Sequence, residues 1–284
     1  MSQIEKKSFF NELKKSPSFN SYLSSPYKSI KHSTYFHSYD HFFNQFRNKE
    51  ITFVEIGVLD GGSLFMWRDY FGSKARVIGV DLNPEANKWK AEGFEIFIGN
   101  QSDENFWKKF SDKVGPIDIV LDDGGHTYEQ QIITTECLLD TIKDGGMILI
   151  EDTHTSYMDG FGPRKKSFIK YTKNLIDLIN MRFSIFNNKR SEKRIWSIEI
   201  VESMVAFKIN RTASNLISER TKNNGKSESS EDYRHFSNTP IRELQKFAAR
   251  NLNTFKYIPF AKLIFTFIKN RLINRKFKAG KYFK

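Results

Sequence analysis

Cysteine is almost absent. Cys137 stands alone in 284 residues, so no disulfide forms within the chain, and a reducing, cytoplasmic setting is expected. It lies in ECLLD, an apolar helical pattern, and reads as a packed thiol rather than a nucleophile. No run approaches the roughly 18 uninterrupted apolar residues of a spanning helix. The opening MSQIEKKSFFNELKK has no apolar stretch of signal-peptide length, so no leader is expected. Acidic residues are missing from one end. After Glu243 there is no Asp or Glu, while eleven Lys or Arg occur. The rest of the chain carries 34 basic against 33 acidic residues, so the net charge of +12 belongs to the tail and says little about the main body.

What is present falls into four zones. Residues 1–48 are aromatic, serine-rich and mildly basic, an N-terminal helical segment in which YDHFFNQFRN has the pattern of an amphipathic helix. Residues 49–210 alternate short apolar runs with helical patterns. Residues 211–238 are polar, with almost no large apolar side chains, and read as a flexible linker. Residues 239–284 form a basic amphipathic tail. In 49–210, ITFVEIGV, ARVIGVDL, FEIFIGN, IDIVLDD and GMILIED read as five strands buried on both faces. SLFMWRDYF, ENFWKKF and YEQQIITTECLLDTI read as helices between most of them. RIWSIEIV and SMVAFKIN read as a later strand pair, a hairpin. Such alternation predicts an α/β fold with a mostly parallel sheet and right-handed crossovers.

Ligands of open parallel sheets bind beyond the carboxyl ends of the strands. Polar residues gather there: LDGGS after the first strand, Asp81 at the second, NQSD after the third, DDGGH at the fourth and EDTH at the fifth. Gly57, Gly61 and Gly62 have the spacing G-x-x-x-G-G. The dinucleotide fingerprint G-x-G-x-x-G, which cradles a pyrophosphate, is not present. Asp81, at the end of the second strand, suits the two hydroxyls of a ribose. Ribose without pyrophosphate points to S-adenosylmethionine rather than NAD. The plain alternatives are a tight turn with a helix-capping Asp, a capping EDT and a surface GGH turn.

FVEIGVLDGGSLFMWRDYF, VIGVDLNP, GNQSD, DIVLDDGGHTYEQQ and GGMILIEDTHTSY together resemble class I S-adenosylmethionine-dependent methyltransferases, which have a Rossmann-like, mostly parallel seven-stranded sheet with a terminal antiparallel strand pair. Within that class they are similar to metal-dependent sugar O-methyltransferases of macrolide biosynthesis and their polysaccharide-cluster relatives, over about residues 30 to 210. The resemblance implies that Glu55 and Gly57 line the methionine part of the cofactor, with Gly61, Ser63 and Asp122 in the same set. Asp81 would hold the ribose, and Gln101 and Ser102 would flank the adenine. Asp123, Glu151 and Asp152 would meet where the fourth and fifth strands end, a set of hard oxygen donors suited to Mg²⁺. A sugar hydroxyl is a poor nucleophile until it loses its proton, which a cation and a general base assist. The resemblance gives the base role to His126.

His154 is expected behind the site or against the acceptor, and Tyr157 and Tyr39 are further contacts by analogy. The four tryptophans are expected to pack rather than stack on ligands. In the resembled family the N-terminal segment closes over the cofactor, a place KHSTYFHSYDHFF would take. In the tail, Lys262, Lys269 and Lys276 recur on one helical face, with Phe260, Ile264, Phe267 and Ile268 on another. That arrangement suits an anionic membrane surface at the inner membrane face, or packing on the chain itself or on a partner. RNA methylation and a non-catalytic membrane module stand as the other readings. Positive charge is scarce near the site, which argues against nucleic acid, and the intact acids and His126 argue against a non-catalytic role. The acceptor's identity and self-association into a homo-oligomer stay open.

Overall fold

A computed structural model describes residues 11–186, 190–226, 234, 238–251, 260–275 and 278–282. Two compact units divide between Arg220 and Thr221. The first holds, in chain order, α1 (Pro17–Ser24), α2 (Tyr35–Phe43), β1 (Thr52–Ile56), α3 (Gly62–Phe71), β2 (Arg76–Asp81), β3 (Glu95–Ile98), α4 (Glu104–Val114), β4 (Ile117–Asp122), α5 (Tyr128–Leu138), β5 (Ile142–Ile150), α6 (Phe168–Asn180), β6 (Ile195–Val201), β7 (Met204–Ile209) and α7 (Arg211–Asn215). The second holds α8 (Thr239–Arg250) and α9 (Ala261–Arg275), which touch each other.

The strands form a seven-stranded sheet in the order β3-β2-β1-β4-β5-β7-β6. β1 to β5 pair in parallel, and β7 runs antiparallel to both β5 and β6. Alternation along each strand feeds two cores. Phe53, Ile119, Leu121, Met147 and Leu149 face an aromatic layer from the N-terminal segment and α3, including Phe36, Tyr39, Phe43 and Trp67. Val54, Ile56, Val120, Ile148 and Ile150 face Trp107, Phe110, Leu138 and Phe168. Burying each of these large side chains contributes about 1.5–3 kcal/mol.

The order of strand reversal lies between β1 and β4, and the ladder continues past the strand ends there. Gly57 N–H donates to the Val80 carbonyl (2.8 Å), Asp123 N–H to Ile56 (3.0 Å) and Glu151 N–H to Asp122 (2.9 Å). These bonds set the tips of β1, β2, β4 and β5 side by side.

Four expectations need correction. The pattern ending in LLDTI extends a helix to Ile142, but α5 stops at Leu138 and Ile142 opens β5, opposite Ile117. The guanidinium of Arg211 donates to the Leu139 and Ile142 carbonyls, each at 2.7 Å, and satisfies this junction. For the same reason residues 211–215, assigned by composition to a linker, form α7 against the sheet. Trp67, Trp89 and Trp107 are buried, but Trp196, on the edge strand β6, is half exposed. In the second unit Arg271 follows Phe267 by four and Ile264 by seven, so it interrupts the apolar stripe expected along α9. Lys276 lies outside the described residues. No helix among the described residues is long and apolar enough to cross a membrane.

Candidate active site

A cavity of about 540 Å³ opens over these strand tips. One part is walled by Gly57, Val58, Ser63, Asp81, Leu82, Asn100 and Gln101. The other part holds Asp123, His126, Glu151 and Asp152, and Lys28 to His32 with Tyr35 form the remaining wall.

Each side chain has a local cause. Gly57 has φ +90°, and a Cβ there would lie 2.1 Å from the Asp123 carbonyl oxygen, so only glycine lets the loop after β1 pass β4 this closely. That loop is pinned by Asp81, whose Oδ2 accepts the amides of Val58 (2.8 Å) and Leu59 (3.1 Å). Gln101 closes the floor: its amide donates to Asp122 at 3.0 and 3.2 Å, and its Oε1 accepts the Gly125 amide at 2.9 Å. α5 begins with a reciprocal cap, Thr127 with Gln130, fixing the turn that carries His126.

His126 (φ 58°) and Asp152 (φ 52°) are non-glycine residues in the left-handed region. Each such conformation costs roughly 1–3 kcal/mol and persists where surrounding structure imposes it. Thr155 does so for both, its hydroxyl lying 3.1 Å from the His126 carbonyl and 2.9 Å from that of Asp152. His126 Nε2 is thereby held 3.4 Å from Asp152 Oδ2 and 3.8 Å from Asp123 Oδ1. Ligand atoms of Asp123, His126 and Asp152 all lie within 4.8 Å of one another. His126 Nδ1 is buried with no hydrogen-bond partner among the described residues.

The third acid is engaged differently. Glu151 is buried, with Oε1 accepting from the Tyr39 hydroxyl (2.6 Å) and Oε2 3.3 Å from the Lys31 ammonium. The same ammonium lies 2.5 Å from Asp123 Oδ2. Burial opposes the charge of Lys31, but Asp123, Glu151 and Glu55 outweigh it and hold its pKa above the ordinary value. Burial pushes the Glu151 carboxyl up, with Lys31 opposing. Tyr35 donates to Asp152 Oδ1 at 2.5 Å, and burial and then that bond raise its phenol.

Not every residue expected in the cofactor set reaches the cavity. Gly57, Ser63, Asp81 and Gln101 line it, whereas Glu55, Gly61, Ser102 and Asp122 do not. Glu55 shares the Phe53 face of β1 and points beneath the wall. It accepts from Ser63 Oγ (2.9 Å) and Trp67 Nε1 (3.0 Å), and burial pushes its carboxyl up to about 7. Gly61 packs under Trp89, where a Cβ would meet the indole at 2.2 Å. Asp122 faces the opposite core, held by Gln101, and burial raises its carboxyl to about 6. Ser102 donates its amide to Asn100 Oδ1 in the turn after β3. His154 Nδ1 sits 2.5 Å from Ser203 Oγ and 3.9 Å from Asp152, while Tyr157 is exposed and off the wall. Lys31 and Tyr35 escaped the sequence reading. Tyr35 and Tyr39, four apart, share a face of α2, whereas Lys31 precedes that helix and no spacing marks it.

Residues 54–153 match the model of a methyltransferase domain family. The fold is similar to that of MycE, a methyltransferase of the mycinamycin biosynthetic pathway solved with Mg and SAH. The TM-score is 0.62 at 25% identity, over 71% of this chain and 55% of that one. The first unit has the Rossmann-like fold of that methyltransferase, and residues 54–153 are similar to methyltransferase domains. Its similarity extends to sugar-modifying members. It is 32% identical over 155 residues to the 8-demethyl-8-alpha-L-rhamnosyl tetracenomycin-C 2'-O-methyltransferase of Streptomyces olivaceus, covering 51% of this chain and 40% of that protein. It is 32% identical over 131 residues to the mycinamicin VI 2''-O-methyltransferase of Micromonospora griseorubida, covering 44% and 32%. The matched stretch thus spans less than half the length of these curated relatives.

Proposed function

We propose that the chain is an S-adenosylmethionine- and Mg²⁺-dependent O-methyltransferase acting on a sugar hydroxyl of a glycan or glycosylated metabolite. The observation that carries this reading is one cavity lined both by Gly57, Asp81 and Gln101 and by Asp123, Glu151, Asp152 and His126. The sugar O-methyltransferases to which the chain is similar support the acceptor class.

The acid set fits a hard cation. Asp123, Glu151 and Asp152 offer oxygen donors at the tips of neighbouring strands, and the Lys31 ammonium against two of them supports a place for positive charge. When bound, S-adenosylmethionine supplies the activated methyl group and the divalent cation lowers the pKa of the accepting hydroxyl. The chain's own residues do the rest. Gly57, Ser63 and Asp81 line the end that would take the cofactor, with Asp81 holding the loop after β1 in place through the amides of Val58 and Leu59. His126 Nε2 takes the hydroxyl proton, held in place by Thr155 and the cap of α5. Residues 28–35 cover the cavity and exclude water, the lid role given to the N-terminal segment.

Incubation with methyl-labelled S-adenosylmethionine, Mg²⁺ and a panel of deoxysugar glycosides tests this. A labelled sugar methyl ether that disappears with chelator is expected. Label transferred only to RNA, or equally well with chelator, would refute the reading.

A further inference from the structure

The three acids of the site are all partnered, and all from one stripe of the N-terminal segment. Lys31, Tyr35 and Tyr39 present an ammonium and two phenols. Lys31 takes Asp123 and Glu151, Tyr35 takes Asp152, and Tyr39 takes Glu151. The Lys31 side chain is only 2% exposed, and its Nζ lies 5.7 Å from the centre of the Tyr39 ring. It occupies the space between two carboxylates of the proposed cation site.

We propose that Lys31 is a built-in competitor for that site: its ammonium and a divalent cation exclude one another, so metal binding displaces Lys31. This rests on the reading of Asp123, Glu151 and Asp152 as the metal ligands. The reasoning is electrostatic. The buried Glu151 and the part-buried Asp123 need a countercharge, and an ammonium at 2.5 Å from Asp123 Oδ2 supplies it where a cation would sit. A divalent ion brought against the same oxygens meets a like charge, and repulsion at that range in a buried site is large. The ammonium therefore has to leave. Lys31 belongs to the wall formed by residues 28–32, so metal occupancy and the position of that wall are linked, and the linkage is reciprocal. Lys31 would then set the metal affinity of the site and keep its acids neutralised until metal arrives.

The test uses the full chain and Mn²⁺ as the probe, with binding followed by the loss of the free ion's paramagnetic resonance signal. Lys31→Gln is expected to bind Mn²⁺ at least tenfold more tightly than the native chain. Its thermal midpoint is expected to fall in chelator and to rise with Mn²⁺ by more than the native midpoint does. Should Lys31→Gln fold only with the metal, that is the same result in extreme form. The native chain provides an independent arm: saturating Mn²⁺ should accelerate amide hydrogen exchange across residues 28–32. Equal or weaker Mn²⁺ binding by Lys31→Gln, no binding by either chain, or unchanged exchange at 28–32 would each overturn the proposal. S-adenosylmethionine binding, measured on the same samples, separates the two readings. If it persists while the Mn²⁺ arms fail, only the role of Lys31 falls. If it is absent, the methyltransferase reading falls with it.

Discussion

Replacing Glu55 by Gln should stabilise the protein at alkaline pH and leave it nearly unchanged in mild acid. Glu55 is fully buried beneath the cavity wall, and burial carries its carboxyl from an ordinary 4.5 to about 7. The folded-state value is the raised one. Below the unfolded value both states are protonated and the group contributes nothing. As pH rises, the unfolded chain ionises first, so stability falls until the folded pKa is passed. The full difference is worth roughly 3 kcal/mol. Glutamine keeps the shape and an acceptor for Trp67 Nε1, and its amide can donate to Ser63 Oγ, which reverses the bond that the Ser63 hydroxyl now donates. Urea unfolding followed by tryptophan fluorescence is a suitable assay, because all four tryptophans lie before residue 221 and report on the first unit. Between pH 5 and pH 8 the stability of Glu55→Gln should gain on the native chain by roughly 2–3 kcal/mol. An equal loss of stability at both pH values would refute the reasoning, and would mean that Glu55 is charged in the fold and needed as such.

Gly57→Ala should cost at least about 2 kcal/mol in the same unfolding assay, from the positive φ and the clash with the Asp123 carbonyl. A neutral result would show that the β1 loop is free to move off β4. In turnover, His126→Ala should lose about 10²–10⁴-fold if it is the base, while binding Mn²⁺ like the native chain. Asp123→Ala should lose turnover and Mn²⁺ binding together. Native rates in both variants would remove the proposed chemistry.

The sheet was legible because its strands are near-continuous apolar runs with polar punctuation at one end only. ITFVEIGV and IDIVLDD need no partner to be recognised as doubly buried. The clustering of Asp123, His126 and Asp152 was legible for the same reason, since each follows a strand tip. Face was harder to read than position. Glu55 and Asp122 lie at the right strand ends, but strand alternation turns one under Trp67 and the other under Gln101. Motif spacing carries no information about which face a side chain takes until the register is known. Lys31 was hidden differently. Its acids lie 92 and 120 residues away, and no local periodicity reports a contact at that range. Of the lysines expected on one face of the tail only Lys262 and Lys269 fall within α9, and Arg271 sits in the apolar stripe that a membrane-facing helix would need clear.

The most direct test of the account is calorimetric titration of S-adenosylmethionine into the native chain and into Asp81→Ala. Saturable binding by the native chain, lost or greatly weakened in Asp81→Ala while the fold is kept, is the expected result. No binding by the native chain, with Mg²⁺ or with chelator, would contradict the assignment of this cavity to a methyl donor.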